Sequence, residues 1–172
     1  DIRILNDNKE PLTGYLFSLN PGLTVFKVTS AGRELKFTKT NHIIEIDPGK
    51  VLSQGETDSV SISYSGTINE AFCYPNYSDN IKENLYRIQM VNVHKRQAFI
   101  NDKYVLLTPE TYWYPVTALN YYPSNPARIK IDFTKYILKV QDETGLMTVS
   151  QGTKTTKDGV STFTSESPLT GI

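Results

Sequence analysis

Few side chains in this 172-residue sequence could do chemistry. The histidines are His42 and His94, and the single cysteine is Cys73. A hydrolytic zinc centre takes three protein ligands, usually with the paired helical motif H-E-x-x-H, and that motif is absent. His42, His94 and a carboxylate could meet in space, but nothing in their spacing requires it. His42 reads as a strand-edge residue and His94 as a surface one. Cys73 sits in the apolar stretch Ala71-Phe72-Cys73-Tyr74-Pro75, whereas a reactive thiolate needs an electropositive, partly exposed setting; it reads as buried and structural. No G-x-S-x-G elbow occurs, and the glycines are scattered one per turn instead of gathered into a phosphate loop. Paired carboxylates can hydrolyse glycosides, but nothing pairs candidates such as Glu110 and Asp132. The sequence therefore predicts no catalytic residue, no bound cofactor and no metal site in this chain.

The most distinctive run is aromatic: Tyr112-Trp113-Tyr114-Pro115, followed by Tyr121-Tyr122-Pro123. Tyr112, Trp113, Tyr114, Tyr121 and Tyr122 are the candidate ligand or domain-contact surface. They could stack on a sugar ring or a peptide. The plainer reading is a rigid, packed connection between two sheets, because aromatic rings mostly bury area and keep a polar tip at the surface. Asn76-Tyr77-Ser78 matches a glycosylation acceptor, a tripeptide common by chance.

The elements that must position these residues are strands. Leu16–Leu19 leads into the turn signal Asn20-Pro21-Gly22, and Leu23–Val28 alternates as a half-buried strand does. Glu34–Phe37, Ile43–Ile46 and Val60–Tyr64 follow at the short, regular spacing of a sandwich or barrel. Leu85–Val91 reads as a loop with a helical turn. Phe99-Ile100 and Tyr104–Leu107 read as strands around Asn101-Asp102-Lys103. Four prolines between Pro109 and Pro126 exclude a regular helix there. Strands are predicted again at Ile129–Phe133, Tyr136–Val140 and Leu146–Ser150, and a hairpin at Thr153–Ser167 around Asp158-Gly159. The fold class is all-β, a single β-sandwich domain over residues 1–172.

Composition bounds the partners. Hydrophobic residues make up 38% and charged residues 21%, a globular rather than disordered balance. Lys plus Arg and Asp plus Glu each number 18, so the formal net charge is zero. Binding to nucleic acid or to an anionic membrane needs a basic face, and neither partner is expected. No apolar run reaches the roughly 18 residues of a membrane span, so direct membrane insertion is not expected. One cysteine excludes an intrachain disulfide without settling the compartment. The first residue is Asp1, within what reads as the strand Ile2–Leu5, and the last run is Pro168–Ile172. Both ends read as a domain excised from a longer frame.

Several stretches together resemble the first domain of aminopeptidase N-like zinc metallopeptidases. Leu19-Asn20-Pro21-Gly22-Leu23-Thr24-Val25, with Val28, Gly32 and Leu35, resembles the start of that domain's second hairpin. Leu52-Ser53-Gln54-Gly55-Glu56 followed by Val60–Ile68 resembles its "L-x-x-G-E … I-x-Y-x-G-x-I" element. Trp113-Tyr114-Pro115, Phe133–Val140 and Val149-Ser150-Gln151-Gly152 are similar to its later strands, and Ser167–Ile172 to its last one. The likeness runs from about Leu16 to Ile172. It looks nearest to divergent bacterial relatives in which a peptidase-like region is joined to a transporter-type permease.

The resemblance implies a curved β-sandwich that packs beside a thermolysin-like domain and helps wall the substrate cleft. The zinc, its ligands and the general-base glutamate would belong to that following domain of the same polypeptide. Peptide substrate would be a shared partner, and the parent a membrane-associated bacterial protein with this part outside the cytoplasm. Many members place a Gln or Glu of this domain near the substrate amine. Gln89 and Gln97 lie in that neighbourhood, but their surroundings do not match the motif and neither is assigned the role. The family's D-x-P is replaced here by Pro109–Pro115. Two other readings stand beside this one: a carbohydrate- or peptide-binding module using Tyr112 to Tyr122, and an assembly module that pairs through an exposed edge strand.

Overall fold

The computed structural model describes residues 1–72, 98–118 and 133–172, all of them strand, turn or loop apart from a single 3-10 turn at Pro109–Thr111. They divide into two compact units, Asp1–Gln97 with Glu110–Asn120, and Ala98–Pro109 with Tyr121–Ile172.

The first unit holds β1 (Ile2–Leu5), β2 (Tyr15–Ser18), β3 (Leu23–Ser30), β4 (Arg33–Glu34), β5 (Lys36–Thr40), β6 (Ile43–Asp47) and β7 (Thr57–Gly66), with β10 (Val116–Thr117) returning later. They form two antiparallel four-stranded sheets, ordered β1-β7-β3-β4 and β10-β2-β6-β5. Both contribute to one core. Tyr15, Phe17, Ile44 and Ile46 enter it from one sheet, and Leu23, Val25, Val28 and Val60 from the other. Leu19, Val28, Ile44 and Val60 are fully buried, worth about 1.5–3 kcal/mol each in apolar transfer.

Local chemistry sets the hairpins. Ala31 and Gly32 both take positive φ, 48° and 76°, the geometry of a two-residue turn whose twist suits antiparallel strands; Ser30 accordingly pairs with Arg33. The predicted strand Glu34–Phe37 is divided. The amide of Leu35 donates to the Val28 carbonyl at 2.9 Å, its side chain is buried, and the chain then leaves β4 in one sheet for β5 in the other. A bulge between Val25 and Lys27 leaves two consecutive residues, Phe26 and Lys27, exposed and returns Val28 to the core, as an extra strand residue does. Gly22 is required for space: a Cβ there would lie 2.0 Å from the Thr67 carbonyl oxygen.

The second unit holds β8 (Ala98–Ile100), β9 (Val105–Leu107), β11 (Ile137–Gln141), β12 (Thr153–Lys157) and β13 (Val160–Thr164). β8 and β9 form a hairpin whose turn is held by Asn101 Oδ1, which accepts from the amides of Lys103 and Tyr104 at 2.9 and 3.0 Å. β13 lies between β11 and β12. The expected hairpin turn is present, with Asp158 and Gly159 at φ 50° and 77°.

Two expectations are corrected here. Leu146–Ser150 is not a strand: β11 and β12 already occupy both sides of β13, and the Thr148 carbonyl is taken by the Lys154 amine at 2.8 Å instead of a ladder amide. Ser167–Ile172 contains no strand either, only an isolated bridge between Thr134 and Leu169. Of the predicted Ile129–Phe133 strand only Phe133 lies in the described residues, and it is not in a strand. The predicted helical turn at Leu85–Val91 lies outside them.

Candidate functional site

The 3-10 turn Pro109–Thr111 delivers the aromatic run to the first unit, and β10 then adds to the edge of β2 through Val116–Ser18 and Thr117–Phe17 pairs. Tyr112 between them takes φ 52°, a left-handed backbone that costs a non-glycine residue about 1–2 kcal/mol and persists where the surroundings enforce it. Asn20 enforces it. Its amide donates to the Tyr112 carbonyl at 2.7 Å, and its Nδ2 donates to the Thr111 carbonyl at 2.8 Å and the Asn69 carbonyl at 3.2 Å. Its Oδ1 accepts from the amides of Gly22 at 3.0 Å and Asn69 at 2.8 Å. This fully buried amide therefore has all its hydrogen-bonding capacity used, and it ties together three segments far apart in sequence.

That junction seats an aromatic stack. Phe72 lies 5.2 Å from the ring of His42 and 6.1 Å from that of Tyr112. His42 occupies the β5–β6 turn, and its Nδ1 is buried without a hydrogen-bond partner. Burial, and then the charge of Lys39, push its pKa down and keep the imidazole neutral. Trp113 and Tyr114 are half-buried and meet edge to face, with centroids 4.7 Å apart and planes at 80°. Tyr112, Trp113 and Tyr114 are thus consecutive and anchored together; Tyr121 and Tyr122 lie outside the described residues, as do Cys73, Gln89, Gln97, His94 and Asn76-Tyr77-Ser78.

A second polar cluster lies inside the sandwich. Asp58 of β7 is 8% exposed. Its carboxylate accepts from the Tyr15 hydroxyl at 2.8 Å, the Ser30 hydroxyl at 2.9 Å, the Ser59 amide at 2.9 Å and the Lys50 amine at 2.9 Å. Burial raises the Asp58 pKa, but these four donors outweigh it and leave the carboxyl at about 2. The Tyr15 hydroxyl is pushed well above the usual phenol range by burial and by its bond to Asp58. With every partner engaged, the cluster clamps β7 to β2 and β3 and offers no free base. Sequence reading missed both Asn20 and Asp58 as hubs. Asn20 was visible only as a turn residue, and Asp58 only as one acid among 18 acidic residues.

An open hollow of about 610 Å³ over β2, β5 and β6 is lined by Leu16, Lys36, Thr38, Glu45 and Asp47 among others, with no histidine, serine or cysteine beside the carboxylates. Among the described residues no three His, Cys, Asp or Glu side chains meet in a group that could hold a metal ion, and no helix is long and apolar enough to cross a membrane. The resemblance assigns zinc to a following domain and not to these residues, and no catalytic step is assigned to them.

No protein-family profile and no curated protein matches the sequence. Solved structures do match. The M1 zinc metallopeptidase from Deinococcus radiodurans superposes with a TM-score of 0.57 at 20% identity, over 94% of this chain and 33% of that chain. A mutant of that enzyme bound to a Tyr-Ser-Ala substrate gives a TM-score of 0.56 at 19% identity, over the same 94% and 33%. A mutant of a two-domain M1 zinc metallopeptidase bound to L-arginine gives 0.56 at 20%, again over 94% and 33%. This chain spans about a third of the length of these proteins, and likeness at such identity is likeness of fold. The chain has the all-β fold of the N-terminal domain of M1 zinc metallopeptidases.

Proposed function

We propose that this chain is the non-catalytic N-terminal domain of a zinc aminopeptidase-like protein. It packs beside the following catalytic-like domain of the same polypeptide and helps wall the substrate cleft. The observation that carries this reading is the proportion of the match: 94% of this chain accounts for 33% of a metallopeptidase. On this reading the zinc and its ligands belong to the part of the parent beyond this chain. The domain acts by position: a rigid sandwich holds one wall of the site, excludes water and meets the peptide substrate without making or breaking bonds. The anchored Tyr112–Tyr114 run supplies part of the contact surface. The likeness to permease-linked bacterial relatives extends the reading to a membrane-associated parent.

Reading the coding sequence downstream of Ile172 tests this proposal. The expected finding is a peptidase-like stretch carrying an H-E-x-x-H pair and a later glutamate. A stop soon after Ile172 overturns it.

A second reading is a carbohydrate- or peptide-binding module built on Tyr112 to Tyr122. It is favoured by the anchoring of Tyr112 through Asn20. The edge-to-face pair of Trp113 and Tyr114 would offer a ligand one ring face instead of a flat strip.

A further inference from the structure

The turn between β5 and β6 carries a polar atom that nothing satisfies. His42 Nδ1 is buried and has no hydrogen-bond partner, and such a group costs stability in a folded chain. The residue is joined to the aromatic run in two ways. Through space, its ring packs on Phe72, which also meets the ring of Tyr112. Through the backbone, its carbonyl accepts from the Leu19 amide at 2.8 Å, and the next residue, Asn20, holds Thr111 and Tyr112. Tyr112 in turn carries the left-handed backbone, φ 52°, that its surroundings must enforce.

A neutral imidazole tolerates this place and an imidazolium does not. Both ring nitrogens are donors once the ring is charged, so protonation leaves an N–H at Nδ1 without an acceptor and puts a charge into an aromatic stack. The charge that acts on the ring is also positive. It belongs to Lys39, half-buried on β5, whose amine donates to the Asn41 carbonyl at 2.6 Å. Glu70 and Glu110, the carboxylates of the segments that bring Phe72 and Tyr112, make no bond to Nδ1. Burial first, and then Lys39, hold the His42 pKa below its ordinary value. Each unit of such a depression makes the packed arrangement about tenfold less favoured once the ring is protonated.

We propose that His42 is an acid-sensitive latch on the aromatic run: with the ring neutral the His42–Phe72–Tyr112 stack is closed, and protonation opens it and frees Tyr112–Tyr114 to solvent. This goes beyond the domain reading and holds whichever partner the aromatic run meets. The direction follows from the lowered pKa. The closed form is complete above about pH 6.5, the ordinary histidine value, and is lost as pH falls below it. Asp58, held at about 2, responds only below about pH 4, so the two groups act in separate windows.

Trp113 is the single tryptophan, so its fluorescence tests the inference. Its emission should shift reversibly to the red between about pH 8 and about pH 5, the range in which histidine charges. His42→Phe keeps a ring against Phe72 that cannot be protonated, and should hold the pH 8 emission throughout. Lys39→Gln should move the midpoint of the shift to higher pH, which a merely structural lysine would not do. His94→Gln, the control for the other histidine, should leave the response intact. A red shift that persists in His42→Phe, or that vanishes in His94→Gln, overturns the latch, as does an emission unchanged across the range. The unmutated chain gives a second measurement that no folding defect can spoil. By NMR the His42 ring should titrate with a midpoint below about 6.5, and a midpoint at or above that value overturns the proposal as well.

Discussion

The two units of this chain bury their apolar residues to different extents. In the first, eleven hydrophobic side chains form one core between two sheets, and the large exposed ones among the described residues are Leu5, Leu16, Phe26 and Val51. In the second, Ala98 and Phe163 are the buried hydrophobics among the described residues, while eight large apolar side chains from Tyr104 to Val149 are exposed. Two four-stranded sheets can close on each other and hide one face each. A hairpin and a three-stranded sheet with a wholly exposed outer strand, β12, enclose far less. Stability in the first unit thus comes from its own core, and the second leaves more of its described apolar side chains in solvent.

Substitutions should separate the units by size of effect. Leu19→Ala opens a cavity at the centre of the first unit and should lower unfolding stability by about 2–5 kcal/mol, read from urea denaturation. Met147→Ser in the second should stay within about 0.5 kcal/mol. A large loss at Met147 would mean that the second unit buries it in solution and would break the comparison. Next, Asn20→Ala keeps the backbone bond to Tyr112 but removes the side-chain bonds to Thr111, Asn69 and Gly22, leaving their buried polar groups unpaired at a cost of about 2–3 kcal/mol. Release of the aromatic run should shift Trp113 fluorescence to the red. An unshifted spectrum would show that the run is held by packing alone.

The smallest of the three effects comes from Asp58 and is read through pH. Its carboxyl is held at about 2 when folded, against a free value near 3.9. Stability from this group is fully present above about pH 4 and is lost as pH falls toward the folded value, about 2 kcal/mol in all. Asp58→Asn should abolish that part of the acid sensitivity, and should lower stability at pH 7 by a similar amount. An unchanged acid profile would show that the Tyr15–Ser30–Lys50 cluster does not act through the carboxylate charge.

How much of this was legible beforehand varied with range. The hairpin turns were readable because Ala31-Gly32 and Asp158-Gly159 carry their backbone preference locally. Alternation in Ile43–Ile46 and Val60–Tyr64 announced half-buried strands, and the glycine of Leu52–Glu56 serves a turn, with Gly55 at φ 82°. Leu146–Ser150 misled for the same reason: its apolar residues suggested a strand, but Met147 and Val149 are exposed and no strand forms there. The division of Glu34–Phe37 at Leu35 was invisible, since alternation continues across a change of sheet. The site was legible only in part. Tyr112 to Tyr114 stood out by composition, while Asn20, which fixes their backbone, acts across 91 residues of sequence.

The sequence by itself determined the all-β class, the turns, the neutral surface and the absence of a recognisable catalytic motif. These follow from residue type and from periods of two, which short-range sterics and burial impose. Only the tertiary structure decided which strands share a sheet, that Asp58 and Asn20 are fully engaged hubs, and that Met147 and Val149 are exposed. Pairing and burial depend on which distant segment arrives to fill the second side of a strand, and no local pattern carries that choice.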